Sequence, residues 1–159
     1  METTTPLIME KTSEKNTAAF THLSTLSQYI IPFGNYILPL VIWTNYKDKS
    51  EFADHHGKQA LNFQLSILLY SLILALIAIP IFITVLLQNL PIEAVFNDNF
   101  VIRNFNFFEG NIGLLSVGLT AVVLFGVLKF VEFFLVIYAS IKASNGELYQ
   151  YPMTIPFIK

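Results

Sequence analysis

The chain has no cysteine and few charged side chains, and both shortages limit what it can be. Without cysteine it has no disulfides, no thiolate catalysis and no cysteine-ligated metal. Nine basic and eleven acidic residues in 159, beside a hydrophobic fraction of 54%, are too few to cover a water-soluble domain. The net charge of −2 argues against nucleic acid as a partner. The lipid bilayer is therefore the predicted environment of most of the chain.

Two long runs contain no charged side chain, and each predicts a membrane-spanning helix. Residues 65–87 form the first run and residues 110–128 the second. Each run is long enough, as a helix, to cross the roughly 30 Å hydrocarbon core of a bilayer. The chain is therefore predicted to be an integral membrane protein that crosses the bilayer more than once.

A third apolar block, 18–44, contains residues that break helices. Pro32, Gly34 and Pro39 lie within it, and a proline removes a backbone donor that must be compensated inside a membrane. The predicted fold class is an all-α membrane protein with about three hydrophobic helical segments, the first of them broken. Two arrangements stay open for this block. It either spans the membrane, or it is re-entrant and returns to the side from which it entered.

The predicted organisation is a single membrane domain behind a flexible polar tail, 1–17. Ser50 is a predicted helix N-cap, and Gly146 is able to adopt a left-handed C-cap. The predicted segments of the domain (18–159) are a broken helix at 18–44, a surface helix leading into a span at 51–90, an aromatic loop at 91–110, a span at 111–142 and an interfacial tail at 143–159.

The distribution of basic residues orients the chain in a bacterial cytoplasmic membrane. Three lysines lie between the first two apolar blocks and one arginine between the last two, namely Lys47, Lys49, Lys58 and Arg103. Because cytoplasmic loops are rich in Lys and Arg, the 45–60 loop and the C-terminus are predicted to be cytoplasmic and the 91–110 loop outside. The inside-to-outside count is five to three for a spanning first block and seven to one for a re-entrant one.

Two ionisable residues follow the second uncharged run. Lys129 and Glu132 are three positions apart and so are neighbours on one helix face. A charge at the bilayer centre costs at least ~2.5 kcal/mol, so the pair either snorkels to the cytoplasmic surface or is buried. If buried, the two side chains must be satisfied by each other or by one of four polar residues, namely Gln28, Asn35, Asn62 or Gln64. A packing role and a transport or coupling role both stay open. The candidate intramembrane polar or coupling residues are Lys129, Glu132, Asn35, Asn62 and Gln64.

No metal motif or catalytic constellation is assembled by spacing. His55 and His56 point about 100° apart on a regular helix and cannot face one metal, and no HExxH spacing occurs. Both histidines are predicted to be solvated at the headgroup level and to titrate near neutral pH. Ser116 lacks the preceding glycine of a nucleophile elbow. We therefore predict no metal, no cofactor and no enzymatic activity.

Phenylalanines alternate with asparagine and aspartate in the 91–110 loop. Aromatic rings favour the headgroup zone and asparagine suits tight turns, so the loop is predicted to lie on the outer membrane surface. A docking surface for a partner protein is the alternative. The candidate partner residues are Phe96, Phe100, Phe105, Phe107 and Phe108.

Several short segments together resemble a known family. They are 22–24 (HLS), 31–35 (IPFGN), 39–43 (PLVIW), 56–64 (HGKQALNFQ), 145–147 (NGE) and 151–152 (YP). This combination resembles a family of small bacterial integral membrane proteins classed as a domain of unknown function, which is distantly similar to a small subunit of the chloroplast inner-envelope (Tic) protein-import channel. The resemblance covers nearly the whole chain. It implies no established activity and only a remote connection to protein transport.

Two functions compete at this point. The first is a small non-catalytic polytopic membrane protein that serves as an accessory or scaffold subunit, with other integral membrane proteins or a second copy of the chain as partners. The second is a channel or translocation component for a solute, an ion or a polypeptide, which three spans could form only as an oligomer. The sequence favours the first function.

Overall fold

The computed structural model describes residues 4–89 and 112–159, and the regular structure in these ranges is entirely helical. This confirms the predicted all-α class. The helices are α1 (Thr4–Ser24), a short 3₁₀ helix (Thr25–Tyr29), α2 (Gly34–Tyr46), α3 (Glu51–Asn89) and α4 (Ile112–Ser144). The five loop phenylalanines lie outside the described residues, so their role stays a prediction.

Two helices in the described part of the chain are long and apolar enough to cross a membrane. They extend over Glu51–Gln88 and Ile112–Ser144. Only 11% and 17% of their most apolar windows are buried inside the protein, whereas the core helix of a soluble protein would be mostly buried. Both helices therefore expose a large apolar surface, as helices in a membrane do. The described residues provide two such helices, so the predicted third hydrophobic segment is not confirmed.

The first apolar block has the predicted break. The chain leaves the 3₁₀ helix at Tyr29 and reverses before α2 begins at Gly34. Gly34 is required by close packing, because a Cβ there would lie 2.5 Å from Ser27 Oγ. Phe33 has the left-handed φ of 61°, which costs a non-glycine residue roughly 1–2 kcal/mol.

Two predictions about this end of the chain are wrong. Pro39 does not break α2, which continues to Tyr46 although the missing N–H removes one helix hydrogen bond. The tail predicted to be flexible is instead helical from Thr4. Pro6 lies in the first turn of α1, where no helix donor is needed, and residues 7–17 contain no glycine or proline.

Both predicted helix caps are confirmed. The Ala53 backbone N–H donates to Ser50 Oγ at 3.2 Å, which satisfies an end donor of α3. Gly146 has φ +82°, and its N–H donates to the Ala143 carbonyl at 2.9 Å. The N–H of the next residue, Glu147, donates to the Lys142 carbonyl at 3.0 Å. These two bonds form a Schellman motif that ends α4.

Two compact units are distinguished in the structure. One comprises Met1–Leu69 and Lys129–Lys159, and the other comprises Tyr70–Leu128. In the second unit α4 approaches α3 at Gly118, where a Cβ would lie 3.0 Å from Ile81 Cγ2. Gly126 is different, because a Cβ there would meet nothing within 4 Å.

Within the first unit, α2 packs against α3 where Gly57 faces Trp43. A Cβ at residue 57 would overlap the Trp43 ring. The indole Nε1–H also donates to Asp54 Oδ1 at 2.8 Å, and Lys58 forms an ion pair with Asp54 at 2.7 Å. The Trp43 ring is therefore held by Asp54 and has little freedom to move away from residue 57.

We expect Gly57→Ala to lower the free energy of unfolding by about 1–3 kcal/mol, the usual effect of overpacking. Gly126→Ala is the matched control, because its methyl group enters open space and better helix propensity should raise stability by about 1 kcal/mol. Thermal unfolding of both variants in the same detergent measures the difference. Equal effects would show that the Gly57–Trp43 contact is not tight.

Candidate functional site

The first unit contains an unusual number of buried polar side chains. Burial of a polar group is unfavourable unless it is hydrogen-bonded, so the partners of these groups determine what the region can do. The side chains come from α1, α2, α3 and α4 and from the 3₁₀ helix. They are Thr21, His22, Thr25, Asn35, His56, Asn62, Gln64, Ser66, Glu132 and Ser140.

Gln28, Lys129 and Glu132 form an ion-pair cluster. Lys129 Nζ lies 2.8 Å from Glu132 Oε2, and Gln28 Nε2 donates to Glu132 Oε1 at 3.0 Å. Lys129 Nζ also donates to Gln28 Oε1 at 3.4 Å. The Glu132 side chain is 0% exposed, whereas that of Lys129 is 32% exposed. The sequence left open whether the pair snorkels or is buried. The Glu132 carboxylate is buried, whereas Lys129 stays partly exposed.

The other predicted polar residues form separate contacts. Asn35 Nδ2 donates to Gln64 Oε1 at 2.8 Å and so connects α2 to α3. Asn62 instead bonds twice to the main chain of Ile158, through Nδ2 to the carbonyl at 2.9 Å and through Oδ1 from the N–H at 2.8 Å. The structure thus divides the five predicted residues among three places.

The C-terminal segment, 147–159, lies against α3. Besides the Asn62 bonds, the Ile155 N–H donates to Ser66 Oγ at 2.8 Å, and that hydroxyl donates to the Asn62 carbonyl at 2.7 Å. The interfacial position of this tail stays a prediction, but the side chain of Tyr151 is only 5% exposed and so packs inside the protein. The reason is that side chains of α3 satisfy the main-chain groups of this non-helical segment, as buried backbone requires.

Asn62→Ala should release the end of this segment. The substitution removes two hydrogen bonds, each worth about 0.5–1.5 kcal/mol, so amide hydrogen exchange at residues 155–159 should accelerate about tenfold or more. Gln59→Ala is the matched control, because Gln59 accepts only a long 3.4 Å bond from the Tyr151 N–H. If both variants exchange like the unmodified chain, Asn62 does not anchor the segment.

His22, His56 and Tyr151 form a buried histidine–tyrosine cluster. His22 Nε2 lies 2.8 Å from His56 Nδ1, and the Tyr151 hydroxyl lies 2.9 Å from His22 Nδ1. Tyr151 also stacks on Phe63, with ring centroids 4.0 Å apart and planes at 4°. The cluster connects α1, α3 and the C-terminal segment.

The solvated position predicted for both histidines of α3 is therefore wrong for His56, which is 0% exposed. Burial, with smaller contributions from His56 and His55, lowers the pKa of His22 from 6.5 to about 3. Burial also raises the pKa of Tyr151 well above its ordinary value, and Tyr149 and Glu132 add to this rise. His22 and Tyr151 are consequently neutral at physiological pH.

His22 and Tyr151 were not predicted as site residues. His22 is a lone histidine in an apolar block, and Tyr151 stands in a tail whose aromatic residues suggested the interface. The sequence did give one indication of their importance. Both residues lie in short segments on which the family resemblance was based, 22–24 and 151–152. The contact between them joins residues 129 positions apart, which no local pattern indicates.

The chemistry available to these clusters is hydrogen bonding and charge pairing. Within the described ranges, no group of three or more His, Cys, Asp or Glu side chains is placed to hold a metal ion. The ring nitrogens of His22 both have protein partners, as do both oxygens of Glu132. The predicted lack of metal, cofactor and catalysis stays a prediction.

Two helices that are long and apolar enough to cross a membrane, together with a buried polar core, are typical of a small helical membrane protein. A family model, MamF/MmsF, described as the magnetosome magnetite crystal formation protein family, matches residues 13–158. The chain belongs to this family. The matched range contains every residue of the ion-pair and histidine–tyrosine clusters. No curated protein and no solved structure matches the chain.

This finding corrects the family resemblance given above. The match is to the magnetosome family, and nothing supports a relationship to the domain of unknown function or to the chloroplast import subunit. The quoted segments are short, and three of their residues, His22, His56 and Tyr151, are buried in the structure. The connection to protein transport is lost with the resemblance.

Proposed function

We propose that this chain is a non-catalytic subunit of the magnetosome membrane that contributes to magnetite crystal formation by assembling with other membrane proteins or with further copies of itself. The observation that carries the proposal is the family match over residues 13–158. The two apolar helices support a membrane location for the subunit.

The contacts of the ion-pair cluster favour a packing role over a conduit. Intramembrane charges on a transport route must be available to the solute. Both oxygens of Glu132 are instead engaged by Lys129 and Gln28, and the carboxylate is fully buried. These contacts join the 3₁₀ helix to α4, which is what a structural role requires.

Genetic replacement in a magnetite-forming bacterium that carries this gene tests this function. Deletion of the gene should reduce the size or number of crystals seen by electron microscopy, and the unmodified gene should restore them. A double variant, Lys129→Leu with Glu132→Leu, should also restore them, because an apolar pair can replace a buried ion pair without loss of packing.

If the protein is instead a channel or translocation component, the double variant should give a different result. Crystals would be lost although the protein accumulates and cross-links to its partners normally, and ion flux into reconstituted vesicles would fall. Normal crystals after gene deletion would contradict the proposed function itself.

A further inference from the structure

We infer that α1, the 3₁₀ helix and α2 form a re-entrant hairpin, which enters and leaves the membrane on one side and inserts its apolar tip among the acyl chains of the adjoining leaflet. The hairpin tip is residues 29–33. The inference rests on contacts within the first unit and is independent of the proposed function.

The two ends of the hairpin lie together. One recess is lined by residues of α1 and by residues around the start of α3, namely Ser13, Glu14, Thr17, Tyr46, Lys49, Ser50 and Ala53. Lys15 Nζ donates to the Asn145 carbonyl at 3.4 Å, beside the end of α4. A helix spanning 18–44 would separate residues 17 and 45 by about 40 Å. These contacts are therefore incompatible with a spanning first block.

The length of α2 agrees with a hairpin. Its 13 residues rise about 20 Å, less than the roughly 30 Å needed to cross the hydrocarbon core. No Asp, Glu, Lys or Arg occurs between Lys15 and Lys47, so both limbs can lie at membrane depth. The hairpin thus reaches into the bilayer without crossing it.

The hairpin tip has an apolar, exposed composition and a largely bonded main chain. Ile30 is 85% exposed and Phe33 is 72% exposed. The Ile30 and Ile31 N–H groups donate to the Ser27 carbonyl at 2.9 and 2.8 Å, and the Gly34 N–H, just after the tip, donates to the Ile31 carbonyl at 3.0 Å. Pro32 has no N–H. These internal hydrogen bonds reduce the number of backbone donors that the tip would expose to hydrocarbon.

The ion-pair cluster gives an independent measure of how far the hairpin extends along α4. Glu132 lies twelve residues before Ser144, the end of α4, which is about 18 Å along the helix axis. Gln28, one residue before the tip, reaches Glu132 at 3.0 Å. The tip and the buried carboxylate therefore lie at a common level, and the distance from the end of α4 agrees with the roughly 20 Å length of α2.

Lysines mark the headgroup level on the side that holds the hairpin ends. Lys47 Nζ lies 5.4 Å from the centre of the Trp43 ring, and Lys142 Nζ lies 5.7 Å from that of Tyr138. Such Lys–aromatic pairs are typical of the interface. With a hairpin, seven of the nine basic residues, all except Lys129 and Arg103, share this side, so the positive-inside rule makes it cytoplasmic.

Cysteine labelling tests the hairpin, because the chain has no native cysteine. Single variants Asn16→Cys and Asp48→Cys are treated with a membrane-impermeant maleimide in spheroplasts. Both should be protected in intact spheroplasts and labelled after permeabilisation. Labelling of Asn16→Cys from outside while Asp48→Cys stays protected would overturn the hairpin, and Ser13→Cys repeats the test if Asn16→Cys does not accumulate.

Fluorescence quenching tests the contact with acyl chains. Phe33→Trp protein is reconstituted in phosphatidylcholine vesicles brominated in the middle of the acyl chains, with the unmodified chain and its single Trp43 as the control. Quenching of the added tryptophan should exceed that of Trp43 at least twofold. Quenching no greater than in the control, together with quenching by aqueous iodide, would show that the tip is in water.

Discussion

Glu132→Leu with Lys129 unchanged is expected to lower the free energy of unfolding by about 3 kcal/mol. Removal of one partner of a buried pair costs roughly 3–5 kcal/mol, because the other charge is left uncompensated. The lower end applies here, since Lys129 is 32% exposed and its ammonium group can move towards the interface. The amide of Gln28, which donates to Glu132, also loses its acceptor. Thermal unfolding in a mild detergent measures the loss.

The double variant, with leucine at positions 129 and 132, distinguishes the effect of an uncompensated charge from that of a changed side-chain shape. It removes the uncompensated charge as well as the carboxylate, so it should recover at least half of the lost stability. The single variant Lys129→Leu should resemble Glu132→Leu, because it leaves a buried carboxylate with Gln28 alone. If the double variant loses as much free energy of unfolding as the two single variants together, the two charges do not interact. The ion-pair cluster would then not be the stabilising element.

Local features of the fold were predictable from the sequence. Ser50 and Gly146 act within one helical turn of their own positions, and the structure contains both caps. Pro39 was misjudged because the loss of one backbone donor does not by itself end a helix. It is the sixth of the 13 residues of α2, and the helix continues past it with one hydrogen bond fewer, just as α3 continues past Pro80.

The candidate site was only half predictable. Spacing placed Lys129 beside Glu132, and Gln28 was one of the possible polar partners, but the sequence could not select it because it is 104 positions from Glu132. His56 was predicted to be solvated because the polar start of α3 suggested the headgroup level. Its burial depends on α1 and on the C-terminal segment, which pack over it from distant parts of the sequence.

Acidification is expected to destabilise the protein through His22. The pKa of His22 is about 3 in the folded state, because of burial and the neighbouring His56 and His55, against 6.5 for an ordinary histidine. Between these two values the unfolded chain binds a proton that the folded chain does not. The contribution of the neutral imidazole is therefore fully present above pH 6.5 and is lost as the pH falls towards 3, at up to about 1.4 kcal/mol per pH unit.

Unfolding temperatures between pH 7.5 and 5 measure this slope before most carboxylates titrate. His22→Gln keeps hydrogen-bonding groups at the site but cannot be protonated, so its curve should be flatter than that of the unmodified chain. Tyr151→Phe is the matched control. It removes the 2.9 Å bond to His22 and should lower stability by about 1 kcal/mol at every pH, while the slope stays because His22 remains buried. A slope that is the same in His22→Gln and in the unmodified chain would assign the acid sensitivity to other groups and would mean that His22 is accessible to protons in the folded state.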